Sequence, residues 1–159
     1  MRKLFFLVAI IATAFTTSLF AQDSASQTPL TNLLTHYYDI KDALVAGNAG
    51  NASVSASQFL KTANAIDYKV ISEGNLTALV KDATVISESN NIQKQRETFA
   101  NLSANMGALA KSVKLSANPV YLAYCPMKKA SWLSNDKTIK NPYYGSAMLS
   151  CGEVKETIQ

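Results

Sequence analysis

The sequence predicts a mainly α-helical fold, in which an antiparallel four-helix bundle precedes a short, loop-rich C-terminal segment with one or two short strands. Two observations lead to this prediction. Apolar residues recur at helical spacing in four stretches between residues 29 and 115, and short polar or glycine-containing connections separate them. Beyond Pro119 the helical spacing ends, and aromatic residues and turn signals become frequent. Because an isolated helix is marginally stable in water, the four apolar faces are expected to share one core.

The first two helices are predicted from their end signals and apolar faces. Thr28-Pro29 offers an N-cap followed by a proline at the first turn, and Gly47 suits the left-handed residue that ends a helix. A second helix is predicted from about Ala52 to Asp67. The apolar faces of the two helices are Leu30, Leu33, Leu34, Tyr37, Ile40 or Lys41, and Leu44, and then Ala56, Phe59, Leu60, Ala63 and Ile66.

The third and fourth helices follow a predicted break at Gly74-Asn75. Asn90 and Gln93 fit a capping box at the start of the fourth helix, which is expected to end before Asn118-Pro119. Met106 lies within its apolar stripe and is interpreted as a core residue rather than a ligand. The two faces are Leu76, Leu79, Val80, Ala83 and Ile86, and then Ile92, Gln95, Phe99, Leu102, Met106, Leu109 and Val113.

The N-terminus has the layout of a secretory signal. Arg2 and Lys3 precede an apolar run, and Ala21 is a small residue suited to signal cleavage. We therefore expect a signal peptide over 1–21, a flexible leader over 22–28 and a single domain over 29–159. Within that domain, a helical bundle spans 29–115 and a tail segment spans 119–159. The expected location is periplasmic or secreted, with no stable membrane span after cleavage.

Charge and motifs exclude several function classes. The formal net charge is +4, of which Arg2 and Lys3 account for two, and no Lys/Arg cluster indicates nucleic-acid binding. His36 is the single histidine, so a cysteine nucleophile has only one candidate imidazole base. Since no other catalytic motif is present either, we expect a non-enzymatic protein.

Both cysteines lie in the tail, each close to a methionine. In an extended chain, Cys125 and Met127 point the same way, and in a helical turn Met148 and Cys151 share a face. If the two pairs converge, their thiolates and thioethers would suit a soft metal such as Cu(I) or Ag(I). The alternative is a structural Cys125–Cys151 disulfide, which is usual for two cysteines in an exported protein and would contribute roughly 3 kcal/mol.

Four short motifs in the tail carry a family resemblance: Tyr124-Cys125-Pro126-Met127, Trp132-Leu133-Ser134, Asn141-Pro142-Tyr143-Tyr144-Gly145, and Met148 through Val154. Together with Lys41 through Ala46 and Ile92 through Ser103, they make nearly the whole chain beyond the signal resemble the DUF3347 family of unknown function. Members of that family occur as small exported proteins and as the tail of periplasmic adaptors of copper and silver efflux pumps.

The resemblance implies a role in heavy-metal efflux or sequestration, with a component of a metal-efflux system as partner. Cys125, Met127, Met148 and Cys151 would then be the metal ligands. One departure bears on that site. Only Lys128 to Ser131 separate the Cys-Pro-Met and Trp-Leu-Ser motifs, whereas the family usually has a longer, glycine-containing loop there.

Overall fold

The computed structural model describes residues 21–159, with side chains from residue 28 onward, so the predicted signal peptide lies outside the described residues apart from Ala21. Four helices pack against one another in chain order and precede a three-stranded antiparallel sheet. The helices are α1 (Ala21–Val45), α2 (Ala49–Ala63), α3 (Glu73–Ser87) and α4 (Ile92–Ser112). The strands are β1 (Val120–Cys125), β2 (Ala130–Ser134) and β3 (Glu153–Ile158), with a 3₁₀ turn at Gly145–Met148. This architecture confirms the predicted mainly helical class.

Helix α1 begins earlier than the sequence predicts. Its first residue is Ala21, so the segment 22–28, expected to be a flexible leader, is helical, and Pro29 lies inside the helix. Pro29 is the ninth residue of this helix, and because proline has no N–H, the helix lacks one backbone hydrogen bond at that point. The other end agrees with the prediction: Gly47 has φ +72° and its N–H bonds the carbonyl of Leu44. Ile40 and Lys41 are both buried.

The ends of α2 and α3 differ from the predicted ends by about one turn. Helix α2 begins at Ala49, where the Asn48 side chain accepts the N–H of Asn51 at 2.9 Å, and it ends at Ala63 rather than Asp67. Gly74-Asn75, predicted as a break, lies in the first turn of α3. The N–H groups of a first turn have no intrahelical acceptor, so glycine and asparagine are tolerated there.

The N-cap of helix α4 lies one residue after the predicted one, and the helix supplies much of the core. Its N-cap is Asn91, not Asn90, because the Asn91 side chain accepts the N–H of Lys94 at 3.0 Å. Met106 is fully buried, as expected of a core residue. Gln95 is also fully buried, and its amide donates to backbone carbonyls near the start of α2 and the end of α3. Helix α4 therefore holds the ends of its neighbours together.

The C-terminal sheet contains three strands in the order β2-β1-β3, one more than the upper number predicted. Strand β1 was expected from its apolar run, and it pairs with β2 as a tight hairpin and with β3 on its other side. The two additional strands lack alternating apolar residues. Trp132, Leu133 and Ser134 of β2 are buried in succession, and most of β3 is exposed.

Two tyrosine hydroxyls satisfy the outer edge of β2. The Leu133 N–H donates to the Tyr37 hydroxyl at 3.0 Å, and the Tyr143 hydroxyl donates to the Ser131 carbonyl. The Tyr37 hydroxyl also lies 2.7 Å from Ser103 Oγ on α4. These contacts join the sheet to α1 and α4 and close an edge that would otherwise expose backbone donors and acceptors. Within residues 21–159, no helix is long and apolar enough to cross a membrane.

Candidate functional site

The two cysteine thiols meet at the end of the sheet. Cys125 is the last residue of β1, and Cys151 stands two residues before β3. Because β3 pairs with β1 in the register Tyr124↔Glu153, the chain just before β3 lies beside the end of β1. The Sγ atoms are 3.4 Å apart although the residues are 26 positions apart in sequence. Cys125 is fully buried and Cys151 is half-buried.

Asn141 holds the segment that carries Cys151 in place. Its side chain is fully buried, donates to the Cys151 carbonyl at 2.7 Å and accepts the N–H of Tyr143 at 2.8 Å. Its backbone N–H donates to the Leu149 carbonyl at 2.8 Å, and its carbonyl accepts the N–H of Gly145. A single asparagine therefore fixes both ends of the loop from 141 to 151. The sequence marked Asn141-Pro142 only as a turn, since nothing in one sequence reveals a contact ten residues away.

The two thiols differ in acidity. Burial raises the pKa of the Cys125 thiol, but the Lys128 N–H at 3.4 Å, the Cys151 thiol and the Asn141 side chain together bring that pKa below its ordinary value. The pKa of Cys151 is raised, chiefly because its S–H donates to Cys125. Cys125 is therefore the more acidic of the two thiols, and it accepts the hydrogen bond of the Cys151 S–H.

Met127 is not positioned as the sequence predicted. An extended Cys125-Pro126-Met127 segment would place both side chains on one face, but Pro126 begins a four-residue hairpin turn instead. The Lys129 N–H bonds the Cys125 carbonyl at 2.8 Å, and Lys129 has φ +55°. Met127 therefore lies on the turn with 65% of its surface exposed. The same tight turn makes the short connection between the Cys-Pro-Met and Trp-Leu-Ser motifs.

Met148 and Cys151 do form the predicted turn. Met148 ends the 3₁₀ turn, and the Cys151 N–H donates to its carbonyl at 3.1 Å. Met148 is half-buried. The structure thus brings the two thiols into direct contact and places one methionine on each adjoining turn.

His36 does not supplement this set of residues. It lies on α1, and its Nδ1 is 3.4 Å from Asp39 Oδ2. Across residues 21–159, no three His, Cys, Asp or Glu side chains gather as a metal-binding group.

Close packing requires two of the glycines in the tail motifs that carry the family resemblance. A Cβ on Gly145, which has φ +56°, would clash with Arg96 Nη2 and lie 2.9 Å from the Val45 carbonyl oxygen. A Cβ on Gly152 would lie 2.7 Å from the Trp132 ring. Both glycines thus let the backbone on either side of Cys151 approach its neighbours closely.

Comparison with known proteins identifies one family. The family model described as a protein of unknown function (DUF3347) matches residues 33–118. No curated protein and no solved structure matches the chain. The match is shorter than the resemblance suggested, because it covers the helices from Leu33 onward and stops before β1, so Cys125, Met127, Met148 and Cys151 lie outside it. Since the matched range is more than half of the chain, this protein belongs to the DUF3347 family.

Proposed function

We propose that this chain is an exported binding module for a soft metal ion, Cu(I) or Ag(I). The principal ligands would be Cys125 and Cys151, with Met127 and Met148 as additional sulfur donors. The observation that carries the proposal is the 3.4 Å contact between two thiols that are far apart in sequence. Thiolate and thioether sulfur are the donors that monovalent copper prefers, so the residues present fit such an ion.

The surroundings of the thiols suit a binding role. Cys125 receives the Lys128 N–H, which a metal-bound thiolate retains as a supporting contact. Met127 lies on an exposed turn and has three rotatable bonds, so its sulfur can turn toward the thiols without disturbing the core. The resemblance to adaptor tails supports a role in sequestration or in handover to a metal-efflux component.

The test is a titration of the reduced, full-length secreted chain with Cu(I) against a chromophoric Cu(I) chelator. Wild-type protein is expected to compete for about one equivalent, and a Cys125→Ser/Cys151→Ser variant is expected to lose that competition. Met127→Leu and Met148→Leu should weaken binding. Met106→Leu is the matched control, because Met106 is buried in α4 and its replacement should leave the affinity unchanged. Equal competition by wild type and the double serine variant would refute the proposal.

A second candidate is a structural or interaction domain stapled by a Cys125–Cys151 disulfide. The complete burial of Cys125 and its contact with Cys151 favour this alternative. A disulfide closing a loop of this length would contribute about 3 kcal/mol to the free energy of unfolding. Mass spectrometry of protein isolated without reductant distinguishes the two candidates, since free thiols on both cysteines would rule out a permanent staple.

A further inference from the structure

We infer that Cys125 and Cys151 form a reversible redox pair, and that a small disulfide compound oxidises them to a disulfide and thereby switches off soft-metal binding. The first half of the inference rests on the geometry of the two thiols. The second half concerns regulation of the same site and rests on the proposed function.

The two sulfur atoms differ in access to solvent. Cys125 is fully buried at the end of β1, whereas Cys151 is half-buried and follows the exposed residues Leu149 and Ser150. A small disulfide can therefore reach Cys151 but not Cys125. Cys125 Sγ, at 3.4 Å, is already in contact with the sulfur atom that such a reaction would modify. In this arrangement an accessible thiol, Cys151, reacts first, and a buried thiol in contact with it, Cys125, resolves the mixed disulfide.

The reaction proceeds by two exchanges. Cys151 first releases its S–H proton, and its sulfur attacks one sulfur of the small disulfide. A new S–S bond forms, the old one breaks, and the released small thiolate takes up that proton. Cys125 sulfur then attacks Cys151 Sγ, which forms the Cys125–Cys151 bond and releases a second small thiol carrying the Cys125 proton. The protein loses two electrons and two protons, and the small disulfide gains them.

Closure requires only a local movement. The sulfur atoms must approach from 3.4 Å to the ordinary bond length of about 2.05 Å. Cys125 is fixed in the central strand, while Cys151 lies outside regular structure between the 3₁₀ turn and β3. The approach therefore falls on Cys151 and its flanking residues. In the oxidised protein neither sulfur is a thiolate, so a soft metal keeps only the thioethers of Met127 and Met148.

The experiment uses metal-free, reduced full-length secreted chain mixed with excess oxidised glutathione, then quenched with acid and analysed by mass spectrometry. Wild-type protein should show a transient single adduct and end with the loss of both thiols. Cys125→Ser should retain a lasting adduct at Cys151, because the resolving thiol is absent. Cys151→Ser should form no adduct, because Cys125 is buried. Circular dichroism checks folding, and the corresponding alanine variants replace any serine variant that unfolds.

The reduced and oxidised proteins are then titrated with Cu(I) as above. Loss of binding on oxidation, with recovery after reduction, supports the switch. Absence of a disulfide in wild type, or an adduct on Cys151→Ser that forms as fast as on Cys125→Ser, overturns the redox pair. A disulfide that leaves Cu(I) binding intact overturns only the regulatory half. Reduced protein that binds no Cu(I) while forming the disulfide refutes the proposed function and the regulation together, but upholds the redox pair.

Discussion

Replacement of Asn141 tests whether this residue holds the thiol segment in place. In Asn141→Ala, the Cys151 carbonyl loses a donor at 2.7 Å and the Tyr143 N–H loses an acceptor at 2.8 Å. A buried group left without a partner costs about 1–3 kcal/mol. Because Tyr143 is buried and Cys151 only half-buried, we expect a decrease of about 2–4 kcal/mol in the free energy of unfolding.

The assay is denaturant unfolding followed by tryptophan fluorescence. Trp132 is the single tryptophan and is 1% exposed. Its ring makes an edge-to-face contact with Tyr143, so its fluorescence reports on this part of the core. Asn135→Ala is the matched control, since Asn135 is exposed in the same segment of the chain. A change of less than about 0.5 kcal/mol in Asn141→Ala, within the range of ordinary surface substitutions, would refute the reasoning.

Three further predictions concern stability. Gly145→Ala should destabilise the protein by more than Gly47→Ala, because both glycines have positive φ but an added Cβ meets close atoms only at Gly145. An equal decrease in Tm for the two variants would contradict this prediction. Tyr37→Phe should cost about 1–3 kcal/mol in denaturant unfolding, since it leaves the buried Leu133 N–H without an acceptor, and a neutral result would show that water replaces the hydroxyl. Burial raises the pKa of Asp82, so its ionisation opposes folding at neutral pH. Asp82→Asn should therefore have a higher free energy of unfolding than wild type near pH 7. The difference should shrink as pH falls through the raised pKa, because the folded wild type then takes up a proton before the unfolded chain does. A difference that grows on acidification would contradict this prediction.

The helices could be predicted from the sequence because their signals are local. Every residue of the predicted α1 face is buried, and Gly47 and Met106 have the expected roles. Helix ends were less predictable, because adjacent residues such as Asn90 and Asn91 offer equivalent caps and the fold decides between them. The sheet was predicted only in part, since β2 and β3 owe their structure to contacts with β1, Tyr37 and Tyr143 rather than to their own periodicity.

The candidate site was predicted in part. Proximity of Cys125 and Cys151 was a hypothesis from composition, and the structure brings them together through the pairing of β1 with β3, which no local pattern indicates. The expected extended conformation of Cys125-Pro126-Met127 was wrong, because Pro126 starts a turn. Whether the sulfur atoms bind metal stays a prediction.

The matched helices and the unmatched sheet form one physical unit. Tyr37 on α1 stacks on Phe99 of α4 at 5.1 Å and accepts the Leu133 N–H of β2. The neighbouring Trp132 ring lies against Gly152, which directly follows Cys151. These contacts connect α1 and α4 through β2 to Gly152, the residue next to Cys151. The sheet beside the two thiols is therefore packed against helices inside the family match, although the thiols themselves lie beyond it.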